Sequence, residues 1–307
     1  MRGPSEKVFL PSGINFTLAE IPDRKDSDKV LMCTPEYFDV IDVKNVHMKN
    51  QQGRIDKKLA NEQWQQLKGI YQTLKNNNTA TDVLSIPGAQ GLEDMVFAAN
   101  QSFPWITESG EKVVIMSRMR HESRKKEVQY FREFYKELGY RIIELQHTEL
   151  FEGMGDAIPH PGKRLIYGGY GHRTSVSAYD EISEILNVKI VALKLINEKF
   201  YHLDTCFVPL GQDSVMLYPG AFQPEDLKGL KKLFNDMIEI PEEEASRNFS
   251  LNAHVVISEK SKAAILQKGS PVTVSALKNK GFQVFETDTS EYIKSGGSVF
   301  CMKMMIY

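Results

Sequence analysis

The sequence predicts an α/β fold in a single domain. Three observations carry this. Short apolar runs alternate with helical patterns from one end to the other, no long Pro/Gly/Ser linker interrupts them, and the composition suits a full core. The chain has 307 residues, 41% hydrophobic and 25% charged, without the charge bias of a disordered segment.

The runs with strand character are Val30–Met32, Val83–Ile86, Val113–Met116, Arg141–Leu145, Leu165–Tyr167, Lys189–Leu195, Phe200–Val208, Val215–Leu217, His254–Ile257, Phe282–Phe285 and Val299–Ile306. Helical periodicity falls between them. Over Asp56–Lys75, residues Leu59, Trp64, Leu67, Ile70, Tyr71 and Leu74 keep mostly to one face, and over Glu127–Leu138 so do Val128, Phe131, Phe134, Tyr135 and Leu138, with Gly139 as the C-cap. Further helices are expected at Val176–Leu186, Pro224–Met237, Lys260–Gln267, Pro271–Lys280 and Ser290–Lys294. Residues 1–27 are polar and read as an irregular, loosely held extension, leaving 28–307 as the domain.

Composition narrows the function. A formal net charge of −2 argues against a nucleic-acid partner, since the one dense basic stretch, Arg118 to Lys126, also carries an acid. The N-terminal MRGPSEKVFLPSG lacks the apolar core of a signal peptide, and no apolar run approaches 18 residues. Cys33, Cys206 and Cys301 share no metal-type spacing, and three is a poor number for a disulfide framework. A soluble protein of the reducing cytoplasm, away from membranes, is the expectation.

Four segments look overspecified for packing: LEDMVFAAN (92–100), FEGMGDAI (151–158), FYHLDTCF (200–207) and SGGSVFCM (295–302). Strand alternation would put His202 and Asp204 on one face. A thiol, an imidazole and carboxylates form a coherent chemical set. The thiolate is the nucleophile, the imidazole moves protons, and carboxylates grip a cationic substrate through charge-assisted hydrogen bonds. Each residue also has an ordinary reading. Cys301 in an apolar strand reads by default as a core thiol, His202 as a structural histidine, and Glu152 and Asp156 as turn or capping residues. Gly296 and Gly297 read equally as a tight turn.

Taken in chain order, from MCTPEYFDV (32–40) to GGSVFCM, the segments resemble the guanidine-modifying enzymes. These include arginine deiminases, dimethylarginine dimethylaminohydrolases, amidinotransferases and arginine dihydrolases. The resemblance implies a five-fold pseudo-symmetric α/β-propeller of ββαβ modules, with no cofactor and no metal. It makes Cys301 the nucleophile, His202 the general acid/base, and Glu152 and Asp204 the acids that complete the catalytic set. It places Asp94, Asn100, Asn45, Arg173 and Arg124 at the substrate, with Arg173 in GGYGHRTS opposite a substrate carboxylate.

Three features depart from the family pattern. Asn100 stands where deiminases and dimethylarginine hydrolases have an Asp, the acid motif is one residue longer than EGGD, and Phe300 precedes the cysteine in place of a polar residue. Asn45 with Asn100 is most similar to the dihydrolase branch. The function implied is cysteine-dependent hydrolysis of arginine or a related guanidino compound, an arginine dihydrolase foremost. An amidinotransferase, a deiminase or dimethylargininase, and a catalytically silent binder of an arginine-like ligand are the alternatives. Homo-oligomers are compatible with this reading.

Overall fold

The computed structural model describes residues 5–76, 82–258 and 261–307, and the following concerns those residues. A short strand β1 (Val8–Phe9) is followed by β2 (Lys29–Cys33) and β3 (Asp82–Ile86), with the helix Lys57–Asn76 between the last two. The chain then makes the sheet β4 (Ser102–Ile106), β5 (Lys112–Met116) and β6 (Arg141–Glu144). Next come β7 (Ala157–Pro159), β8 (Leu165–Tyr170) and β9 (Lys189–Lys194), then β10 (Phe207–Pro209), β11 (Ser214–Leu217) and β12 (Asp236–Glu239). The last sheet in sequence is β13 (His254–Ile257), β14 (Lys262–Gln267) and β15 (Gln283–Thr287), and β16 (Met304–Ile306) returns to pair with β2.

One pattern recurs in all five sheets. The first strand is antiparallel to the middle one, a helix follows the middle strand, and the third strand is parallel to the middle. The helices are Lys57–Asn76, Glu127–Glu137, Ser177–Leu186, Pro224–Leu230 and Pro271–Asn279. A parallel pair needs such a crossover, whereas an antiparallel pair needs only a turn.

The helices form where apolar residues recur at helical spacing. In Lys57–Asn76, Trp64, Leu67, Tyr71 and Leu74 are all buried against β2 and its neighbours. Burying each such side chain contributes roughly 1.5–3 kcal/mol. Helix Glu127–Glu137 buries Val128, Phe131 and Tyr135 in the same way and ends at Gly139, whose φ of 74° only glycine adopts freely.

Several expectations are corrected. The run Lys262–Gln267, inside the expected helix Lys260–Gln267, is the central strand of its sheet; Lys260 lies outside the described residues. Buried on both faces, its AAIL core has no alternation to distinguish strand from helix. The helix at Pro224 ends at Leu230, and Asp236–Glu239 is a strand. His202 and Asp204 do not lie on a strand: His202 precedes a 3₁₀ turn, Leu203–Thr205, and β10 begins at Phe207. Cys301 likewise sits in a turn before β16. Residues 8–27 are not loosely held, because β1 pairs in parallel with β9 and Ile14, Phe16 and Ile21 are buried.

Candidate active site

Most of the predicted residues lie in segments that lead into the first strand of a sheet, whereas Asn45, Arg124 and Arg173 follow the middle strands β2, β5 and β8. Asn100 precedes β4, Glu152 and Asp156 precede β7, His202 and Asp204 precede β10, and Cys301 precedes β16. The remaining sheet contributes Asn252, just before β13, which the sequence reading missed.

Asn252 is the residue that shapes the thiol site. Its side-chain oxygen accepts the backbone N–H groups of Ser298 (3.0 Å) and Cys301 (3.1 Å), and its amide nitrogen lies 3.1 Å from Cys301 Sγ. The same nitrogen donates to the Asp204 carbonyl at 3.0 Å. Cys301 Sγ also lies 3.2 Å from Asp204 Oδ2. Burial, and then the nearby Asp204 carboxylate, push the Cys301 thiol well above its ordinary value. Burial likewise raises Asp204 to about 7, against the opposing pull of the Cys301 hydrogen bond and Lys303.

His202 and Glu152 form a second unit. His202 Nε2 is 2.7 Å from Glu152 Oε2, and Arg173 Nη1 reaches the same oxygen at 3.2 Å. Glu152 Oε1 accepts the Arg120 N–H at 3.0 Å. Burial alone would raise the Glu152 carboxyl, but Arg173 and the His202 hydrogen bond outweigh it and hold the acid below the usual carboxylate range. Burial lowers His202 to about 4 despite that carboxylate, so the imidazole is neutral at pH 7. An ionised carboxylate can only accept, so Nε2 carries the proton. Nδ1 is then a buried lone pair without a hydrogen-bond partner.

Asp156 has a different part. Its two oxygens accept from Thr174 Oγ1 (2.7 Å) and the Leu203 N–H (3.1 Å), tying the acid segment to the HxD segment. Of the two acids, Glu152 is therefore the one on the imidazole.

Lys44, also missed in the sequence, pairs with Glu93 (2.8 Å), Asp94 (3.0 Å) and Asp42. Asp94 Oδ1 further accepts from Ser295 Oγ at 3.1 Å. Arg124 is fully engaged: it pairs with buried Glu127 and donates to Asn100 Oδ1 at 3.1 Å and to the Asp94 carbonyl at 3.2 Å. Because Arg124 occupies the Asn100 oxygen, the Asn100 amide nitrogen is the free end, buried and without a hydrogen-bond partner. Asn45 accepts the His47 and Met48 N–H groups as an N-cap and donates to the Ser295 carbonyl at 3.0 Å.

The glycine pair serves close packing. A Cβ on Gly297 would stand 2.3 Å from the Phe97 ring, and one on Gly296, at φ 85°, would meet Asn45 and Tyr201 at 2.8 Å. These segments close round a cavity of about 20 Å³ lined by Lys44, Asn45, Asp94, Asn100, Arg173 and Cys301, among others. An outer cleft of about 410 Å³ shares Lys44, Asn45, Arg173 and Tyr201 with it. Among the described residues, no group of three or more His, Cys, Asp or Glu side chains is placed to hold a metal ion. No helix among them is long and apolar enough to cross a membrane.

Residues 34–307 match the family described as N,N dimethylarginine dimethylhydrolase, eukaryotic. The chain belongs to this family of guanidine-modifying enzymes. Among its relatives is the bifunctional arginine dihydrolase/ornithine cyclodeaminase AgrE of Nostoc sp., 35% identical over 91% of this chain and 38% of AgrE. ArgZ of Synechocystis sp., with the same two activities in its name, is 34% identical over 92% of this chain and 38% of ArgZ. The chain thus spans 38% of the length of each. The N(G),N(G)-dimethylarginine dimethylaminohydrolase of Mycobacterium tuberculosis is 30% identical over 90% of this chain and 85% of its own length. The fold matches the crystal structure of the N-terminal domain of ArgZ covalently bound to a reaction intermediate. The TM-score is 0.81 at 33% identity, over 90% of this chain and 97% of that domain.

Proposed function

We propose that the chain is a cysteine-dependent hydrolase of arginine, built as one domain over residues 28–307 in which five ββαβ modules form an α/β-propeller around the site. The observation that carries this reading is the convergence of Cys301, Asp204, His202 and Glu152 on segments from three different sheets. A binding protein has no need of a nucleophile held on both its backbone and its sulfur.

In this reading the guanidinium enters with its carbon near Cys301 Sγ and its nitrogens on Asp204 and Glu152. A cation beside these acids favours ionisation of both Asp204 and the thiol, offsetting the burial that raises them. The thiol gives up its proton to the His202 imidazole as the thiolate adds to the guanidinium carbon, and the imidazolium passes that proton to the departing nitrogen, which leaves as ammonia. Water, deprotonated at the imidazole, adds to the thiouronium carbon; collapse expels the thiolate and leaves citrulline. Arg173, at the junction of cavity and cleft, would take the α-carboxylate.

The second hydrolysis, of citrulline to ornithine, ammonia and carbon dioxide, is supported by Asn100. Its fixed free NH₂ can donate to a ureido oxygen, where a carboxylate would repel it. AgrE and ArgZ, named as arginine dihydrolases, point the same way. Dimethylarginine hydrolysis is the second reading, favoured by the family match. The three buried free cysteines support a reducing, cytoplasmic setting. Product analysis decides among these. Labelled arginine should give ornithine; citrulline alone would make the protein a deiminase, transfer of the amidino group to added glycine a transferase, and no turnover a binder.

A further inference from the structure

Lys303 is fully buried, yet its amine has no hydrogen-bond partner. The neighbouring acid is also incomplete: Asp204 Oδ2 meets Cys301, while Asp204 Oδ1 is buried and unpaired. Lys303 lies two residues beyond Cys301, across the same turn, and its Nζ stands 3.2 Å over the Phe300 ring. It lines a separate cavity of about 110 Å³, together with Met154, Phe207, His254 and Phe300, that does not include Cys301. The turn 298–303 therefore separates two spaces, with the thiol facing one and the amine the other.

We propose that Lys303 is a positioning residue that supplies positive charge from behind the Cys301–Asp204 pair and so sets how readily the thiol ionises. Of the charged and titratable groups that share its cavity, Arg24 is paired with Asp26 and donates to the Tyr307 hydroxyl, so these three are engaged with one another. Asp204 and Cys301 both favour the Lys303 ammonium form, against the burial that brings it down to about 7. His254 is held neutral by burial, and beyond that by Lys303 itself, and its Nδ1 is 3.0 Å from the Tyr71 hydroxyl. The Phe300 ring face adds a cation–π attraction. None of these takes the amine's charge out of reach of the site.

The arrangement answers a difficulty in the thiol site. In the free enzyme the thiol has a carboxylate beside it and a neutral imidazole on Glu152, and the cations that line its cavity are each paired with another acid: Lys44 with Glu93 and Asp94, Arg124 with Glu127, and Arg173 with Glu152. An amine that titrates near neutrality can hold a proton while the site is empty and release it when a cationic guanidinium arrives. A lysine with an ordinary affinity for its proton would instead repel that substrate throughout.

The test is the pH dependence of Cys301 alkylation by iodoacetamide, mapped by mass spectrometry, in the whole protein. For Lys303→Met, alkylation should slow about fivefold or more at pH 7, where the amine still carries charge, and hardly at all at pH 9, where it does not. kcat/KM for arginine should fall at pH 7 and recover partly at pH 9, a change that loss of packing alone would not give. Should Lys303→Met fail to fold, NMR of the wild type labelled at lysine side chains replaces it. One lysine should titrate near 7, and its midpoint should fall in Cys301→Ala or Asp204→Asn. An unchanged alkylation rate at pH 7 in folded Lys303→Met, or every lysine titrating near 10.5, overturns the proposal. This inference rests on Cys301 as nucleophile only for its effect on turnover. The alkylation and NMR readouts need no substrate, so they separate its failure from failure of the proposed function.

Discussion

Asn252 holds Cys301 at two points, accepting its backbone N–H at 3.1 Å and approaching its sulfur at 3.1 Å through the amide nitrogen. One side chain therefore fixes both the position of the thiol and a hydrogen bond that favours its thiolate. Asn252→Ala leaves the Ser298 and Cys301 N–H groups buried and unpaired, at a cost of about 1–3 kcal/mol for each. It should lower the thermal midpoint and reduce kcat by tenfold or more. Retention of both by a pure Asn252→Ala sample would show that the turn holds its shape without this clamp.

Cys301→Ala should abolish turnover and leave the circular dichroism spectrum unchanged. Cys33→Ala and Cys206→Ala should remain active, each losing about 1 kcal/mol for the small cavity left in the core. Denaturant melts and initial rates on the three variants separate the reactive thiol from the packed ones.

Asp204 ties stability to pH. Its carboxyl ordinarily ionises at 3.8 but at about 7 in the folded protein, so the folded state holds more protons between those values. Stability from this group is complete below pH 3.8 and is lost as the pH rises through 7. Asp204→Asn removes the loss, and should gain up to about 4 kcal/mol on the wild type at pH 8 with no gain from this source near pH 3.5. It should also be inactive. Urea unfolding of both proteins at the two pH values checks the sign, and an equal difference at each pH would contradict it.

Arg173 bonds Glu152 Oε2 at 3.2 Å and the Lys44 carbonyl at 2.9 Å, a fork that a lysine cannot reproduce. Arg173→Lys should raise KM for arginine about tenfold or more. Agmatine, which lacks the carboxylate, should be a poor substrate for the wild type; agmatine turnover equal to that of arginine would rule out the pairing.

Asn100→Asp should shift the product from ornithine toward citrulline while keeping the first hydrolysis. The added carboxylate would pair with Arg124 and face the ureido oxygen with a second oxygen in place of NH₂. The product ratio from labelled arginine reads this directly.

Much of the fold was legible because helices such as Lys57–Asn76 display their buried stripe at a spacing no strand shares. Five strands escaped, β1, β4, β7, β12 and β14, the first only two residues long and the last an unbroken apolar run that reads as helix. β4 contains Pro104, which an edge strand tolerates but which reads as a breaker. β7 has only three residues, and β12 is a half-buried DMIE that continues a helical pattern. Within the site, Cys301, His202, Glu152 and Asp204 stood out through motifs. Asn252 and Lys303 did not, since SLNAHV and CMKMM carry no unusual chemistry until the fold brings them together. One signal was available: Asn100, Glu152, Asp204, Asn252 and Cys301 recur about every 50 residues, one for each sheet.

The pairing of β16 with β2 has a consequence for synthesis. The strand that completes that sheet lies about 270 residues after its partner, and the cysteine sits just ahead of it. During translation four sheets have all their strands before Cys301 has emerged, while β2 and β3 must wait beside them with one edge open. Such distant pairing slows folding and leaves a nascent chain exposed to wrong contacts. A chain arrested short of Cys301 lacks both the strand that completes this sheet and the thiol, so the sheet edge is covered and the nucleophile supplied by the same last few residues.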